Sequence, residues 1–150
     1  MEISRHTLPN EILLGEVTKL LDEGRDVVIM TKGFSMNPFI IGDRDSVELR
    51  KMTPSAGMIA LAQISKGHYV LHRIESIDGD RVVLHGDGNL QGRERCRLED
   101  ISGCVTKILK PGGRETNCLG RCFAIKSKCW LSQPYIIRRY FLAIFRRVFI

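Results

Sequence analysis

A mainly β protein, mostly antiparallel and with a helix at each end, is the fold class the sequence predicts. Three observations carry it. Between residues 26 and 110, short runs rich in Val, Ile and Leu alternate apolar with polar residues and are punctuated by Gly, Pro and Asp, as half-buried strands and their turns do. Asp78-Gly79-Asp80 separates two such runs with the chemistry of a hairpin turn. Apolar residues at helical spacing stand instead before residue 25 and after residue 134.

Asn10 is positioned to cap a helix carrying Ile12, Leu13, Val17, Leu20 and Leu21 on one stripe, and Gly24 ends it. This defines an N-terminal helical segment, 1–25. Asp26-Val27-Val28-Ile29-Met30-Thr31 reads as the first strand. A stretch punctuated by Gly and Pro, from Gly33 to Gly42, precedes the alternating Ser46-Val47-Glu48-Leu49-Arg50. Strands are expected at 58–64, 68–77, 81–85 and 104–109, so that residues 26–110 form the β body. Arg93-Glu94-Arg95-Cys96-Arg97 reads as a solvated charged face.

Residues 111–150 form a basic C-terminal extension. In it, the stretch from Tyr135 to Ile150 is dense in Ile, Phe and Arg. On a helix, Ile137, Tyr140, Phe141, Leu142, Ile144, Phe145, Val148 and Phe149 fill one broad arc, with Arg139, Arg146 and Arg147 opposite. An anionic membrane surface is the expected partner of residues 135–150, with Trp130 at the same interface. The alternative is a helix packed on the body or on a second subunit.

At 150 residues, 43% apolar and 27% charged, the chain fits one domain and excludes collagen-like, mucin-like and wholly disordered classes. The net charge of +6 is unevenly placed. From residue 116 onward there is no Asp or Glu and there are seven of the 23 Lys and Arg, so the first 115 residues carry a net −1. A neutral body with a basic tail argues against a nucleic-acid-binding face and for a tail with its own partner. Five irregularly spaced cysteines without C-x-x-C read as reduced thiols, and no metal site is expected. Met1-Glu2-Ile3-Ser4-Arg5 opens without a secretory pattern, so the expected location is cytoplasmic, peripheral at a membrane surface.

The chemistry centres on Gly33-Phe34-Ser35-Met36-Asn37-Pro38, followed by Gly42-Asp43, Leu71-His72-Arg73-Ile74 and His85-Gly86-Asp87-Gly88-Asn89. A serine between a glycine turn and a proline-stiffened segment sits on a rigid corner, and it needs an adjacent base to become a nucleophile. Imidazole is the side chain suited to that exchange near neutral pH, and of the four histidines His72, mid-strand among these segments, is the candidate base, with His85 left structural. Asp87, beyond the next strand, is placed to hold the ring.

In this order, Gly-x-Ser-Met-x-Pro, Gly-Asp, His-Arg-Ile and Gly-Asp-x-Asn resemble the superfamily of signal peptidases and LexA-type self-cleaving repressors, over about residues 27–108. The His-Arg pair is similar to the histidine-using, endoplasmic-reticulum and archaeal branch of the signal peptidases. The resemblance implies Ser35 as nucleophile, His72 as general base and Asp87 as its support. It also implies a coiled, peptidase-like β domain over 26–110, with a groove that takes an extended peptide as an added strand. The implied activity is a serine endopeptidase acting on a precursor or leader peptide, with no metal or organic cofactor. The alternative is the same fold kept as an inactive peptide-binding or membrane-surface module. A DNA-binding regulator is disfavoured, because the residues before Asp26 hold one helix and not the two of a helix-turn-helix.

Overall fold

Cross-strand pairing follows the alternation in the sequence. The structure, a computed structural model, describes residues 10–149. Residues 1–9 of the predicted segment 1–25, including the Met1 to Arg5 start, and Ile150 at the end of the predicted C-terminal helix lie outside it. The chain runs α1 (Asn10–Asp22), β1 (Val27–Met30), β2 (Ser46–Arg50), β3 (Ile59–Ser65), β4 (His68–Asp78), β5 (Arg81–His85), β6 (Glu94–Arg97), β7 (Ile101–Lys110), β8 (Arg114–Asn117), α2 (Arg121–Leu131) and α3 (Tyr135–Phe149). Among the described residues it is mainly antiparallel β, with one α-helix before the sheet and two after it.

Among the described residues the strands form one sheet in the order β1-β2-β7-β3-β4-β5-β6. β7 is its spine. The second half of β7 pairs with β2, its first half with β3, and its last residues with β8. Register shifts interrupt the β2–β7, β3–β7, β3–β4 and β4–β5 pairings, and such bulges bend a strand and raise its twist.

The period-two pattern divides the core in two. Ile59 and Leu61 of β3 face a cluster with Val17 and Leu21 of α1, Met36, Ile40, Leu49 and Ile108. Ala60 and Ala62 face the other way, against Ile74, Val82, Leu84 and Cys104. β3 is therefore buried on both faces, which explains its near-continuous apolar run.

Three elements escape the sequence reading. β6 lies in the run taken as a solvated face, yet Glu94 and Cys96 are half-buried while Arg95 and Arg97 are exposed. β8 has an all-polar sequence, Arg-Glu-Thr-Asn; Gly112 and Gly113, both at positive φ, turn it back onto β7. α2 buries only Phe123, Ser127 and Trp130, a stripe too thin to show against its charged residues. Trp130 is 8% exposed, so it is a core residue and not one at a membrane interface.

All five cysteines are free. Burial pushes the Cys96 and Cys104 thiols up to about 11 and Cys118 to about 12. At pH 8 a thiol at about 11 is thiolate in roughly one molecule in a thousand. Cys122 and Cys129, exposed on α2, are thus expected to react promptly with a disulfide reagent in the native protein. The other three should react only on denaturation; prompt reaction of all five would contradict their burial.

Candidate active site

The loop between β1 and β2 presents Ser35. Its ends are clamped by polar groups the sequence reading passed over. Thr31 Oγ1 donates to the Asp45 carbonyl at 2.7 Å, and the fully buried Asp45 carboxylate accepts the Ile41 N–H at 2.9 Å and Arg44 Nε at 2.8 Å. The backbones of Gly33 and Gly42 touch there, since a Cβ on Gly42 would lie 2.1 Å from the Gly33 carbonyl oxygen. The Phe34–Asn37 turn closes through Asn37 N–H donating to Phe34 O at 3.1 Å. Met36 anchors it in the core, which leaves Ser35 half-buried at the corner. Among the described residues, the N–H groups of Ser35 and Met36 have no acceptor.

The Gly86–Asn89 turn lies directly against this corner, and Gly88 N–H donates to the Ser35 carbonyl at 2.8 Å. Gly86 is one point of close approach. A Cβ there would come 2.5 Å from the Ser35 carbonyl oxygen and 3.3 Å from His72 Nε2. The absent side chain thus lets the imidazole and the serine turn meet over the same spot.

His72, buried in β4 beside Ala60 of β3, has its Nδ1 2.8 Å from Glu94 Oε2 of β6. A carboxylate only accepts, so Nδ1 is the donor in this contact, and in the neutral ring that leaves the lone pair on Nε2, on the serine side. The structure thus brings together the Ser35 turn, His72 and Glu94. No hydrogen bond joins Ser35 Oγ to His72 Nε2 among the described residues.

Asp87 stands elsewhere in the arrangement. Its Oδ1 accepts from Arg73 Nε at 2.8 Å and its Oδ2 from Arg73 Nη2 at 2.6 Å, with both side chains almost wholly buried. The support for His72 expected from Asp87 comes geometrically from Glu94, because the bidentate Arg73 pair holds both Asp87 oxygens. Arg73 also donates to the Gly57 carbonyl at 2.8 Å, and its guanidinium lies 5.2 Å from the Phe39 ring and 5.4 Å from the Phe123 ring. Trp130 Nε1 donates to the Asp87 carbonyl at 3.0 Å, tying α2 to the same turn. His85 is buried nearby, its Nε2 unpartnered among the described residues; burial first and the Arg93 charge second lower its affinity for a proton.

One signal for Glu94 was present in the sequence. Arg93, Arg95 and Arg97 occupy one parity and Glu94 and Cys96 the other, the alternation of a strand with one covered face.

α3 packs beside the turn. Leu142 is buried, Phe141 meets Trp130 edge-on with ring centroids 5.3 Å apart, Gln91 Nε2 donates to Tyr135 Oη at 3.0 Å, and Arg146 covers the Phe34 ring at 4.7 Å. Its outward side is apolar, with Ile136, Ile137, Tyr140, Ile144 and Val148 between 53% and 67% exposed. Among the described residues no helix is long and apolar enough to cross a membrane.

No protein-family model matches the chain, and no curated protein matches it.

Proposed function

We propose that the protein is a serine endopeptidase of the signal-peptidase-like type, cleaving a precursor or leader peptide through an acyl-enzyme on Ser35. The observation that supports it is the state of His72, whose Nδ1–H is given to Glu94 while Nε2 faces the serine turn. As Ser35 Oγ attacks the scissile carbonyl carbon, His72 Nε2 takes the hydroxyl proton. The unengaged N–H groups of Ser35 and Met36 are donors for the oxyanion. The tetrahedral intermediate collapses, the C–N bond breaks and His72 returns the proton to the leaving amine. Water then hydrolyses the ester with His72 again as base. Asp87 stays outside this proton path and fixes the Gly86–Asn89 turn through Arg73.

Labelling with a peptide analogue bearing a serine-directed warhead tests the reading. One adduct per chain on Ser35, lost in both Ser35→Ala and His72→Ala at nearly unchanged melting temperature, is the expected result. The absent Ser35–His72 hydrogen bond favours a second reading, a peptide-binding module without turnover. Peptide binding by wild type that never forms the adduct would select it.

We also infer a cytoplasmic protein peripheral at a membrane, with the outward face of α3 resting in an anionic headgroup layer. An exposed apolar face on a helix with four arginines and no acid has that complementarity. Ile137→Asp with Ile144→Asp should release the protein from phosphatidylglycerol vesicles while sparing its melting temperature. Unchanged vesicle binding would refute the placement.

A further inference from the structure

Between the serine turn and α3 lies a cleft of about 520 Å³, walled by Phe34 and Asn37 on one side and by Arg139 and Arg146 on the other. A second hollow of about 380 Å³ shares Phe34 and Arg146 and adds Arg147. No carboxylate lines either one among the described residues. Neither Arg139 nor Arg146 has an ion-pair partner among them. Asn37 is 1% exposed, yet among the described residues both its Oδ1 and Nδ2 lack a hydrogen-bond partner. Buried amides ordinarily find partners, and guanidinium groups with no internal counter-charge favour an anion, carboxylate best of all through the planar fork. Phe34 adjoins Ser35 in the chain, so the cleft lies next to the serine corner, although Ser35 itself does not line it.

We propose that this cleft binds an acidic stretch of the peptide substrate, with Arg139 and Arg146 of α3 as the residues that set specificity. The inference rests on the peptidase reading and names its substrate class. The two arginines are two helical turns apart, about 10 Å along α3, an interval that about three residues of extended peptide span. The C-terminal helix thereby serves as a wall of the substrate site as well as a surface element. Its apolar side faces outward, and Arg139 and Arg146 line the cleft.

The test uses full-length Ser35→Ala, which binds without turning over, and measures anisotropy of Ala- and Ser-rich peptides carrying a neutral dye. The three peptides differ only in having Glu, Gln or Lys at two positions three apart. The Glu peptide is expected to bind about ten-fold tighter than the Gln peptide, through two solvent-screened charge pairs, and the Lys peptide weaker than both. Added salt should shrink the difference. Arg139→Gln with Arg146→Gln should abolish the discrimination, while Arg139→Lys with Arg146→Lys should retain part of it, both at wild-type melting temperature.

Equal affinities, no measurable binding of any peptide, or discrimination that survives in the double Gln variant would each overturn the proposal. So would a double Gln variant that loses phosphatidylglycerol vesicles but keeps its peptide preference, since the arginines would then serve lipid. Failure here is separable from failure of the peptidase reading. Ser35 labelled without acidic preference sinks only this proposal, whereas acidic preference without labelling leaves the cleft and removes the chemistry.

Discussion

Glu94→Gln is expected to slow adduct formation on Ser35 by about 10³- to 10⁴-fold with little change in melting temperature. The carboxylate 2.8 Å from His72 Nδ1 fixes the ring and its tautomer, and it neutralises the imidazolium formed when the serine proton arrives. A neutral amide stabilises no imidazolium, and when it turns its NH₂ toward the ring it forces the proton to the wrong nitrogen. Glu94 is half-buried at a strand end, so the isosteric change leaves the sheet intact. Glu94→Asp should recover part of the rate, because the charge stays and only the reach shortens. The comparison that decides is Asp87→Asn, whose surviving folded fraction should label at close to the wild-type rate. If Asp87→Asn stops labelling and Glu94→Gln does not, the supporting carboxylate is Asp87 after all.

Asp87→Ala should instead cost stability, about 3–5 kcal/mol, or roughly 10–15 °C in melting temperature for a chain of this size. The pair it breaks has side chains 3% and 0% exposed, and the change strands the Arg73 charge between two aromatic rings with no water to replace its partner. Buried pairs contribute little net energy when intact, because desolvation offsets their attraction; the large cost comes from orphaning one member. Arg73→Met with Asp87→Ala removes both charges and should therefore be more stable than Asp87→Ala alone. Thermal and urea unfolding of Asp87→Ala, Arg73→Met and the double variant checks this, and single variants within about 1 kcal/mol of wild type would refute it.

The sheet was legible wherever burial imposed a period. Ser46–Arg50 and Arg81–His85 begin and end as their alternation predicts, and β4 departs by one residue. β7 began three residues early, because Ile101, Ser102 and Gly103 are buried by pairing with β3, a tertiary fact that local pattern does not carry. The juxtaposition of the serine turn and His72 was legible in the ordered segments around Ser35, His72 and Asp87, since His72 is one of four histidines and only its company set it apart. The partner of the histidine was not. Asp87 had the motif and the position, but the side chain adjacent to His72 in the chain, Arg73, claims its carboxylate. Glu94 was hidden among arginines, where charge density masked a two-residue alternation. α3 was foreseen as amphipathic, though not that Arg139 and Arg146 would line a cleft beside the serine loop.

The indole bond to the Asp87 carbonyl has an optical consequence. The chain holds a single tryptophan, and it sits buried between the Gly86–Asn89 turn and Phe141. Its emission therefore reports, with no introduced dye, on the joint where the turn beside the serine meets the C-terminal helices. Any ligand or lipid that shifts that joint writes its own titration curve in the fluorescence of Trp130.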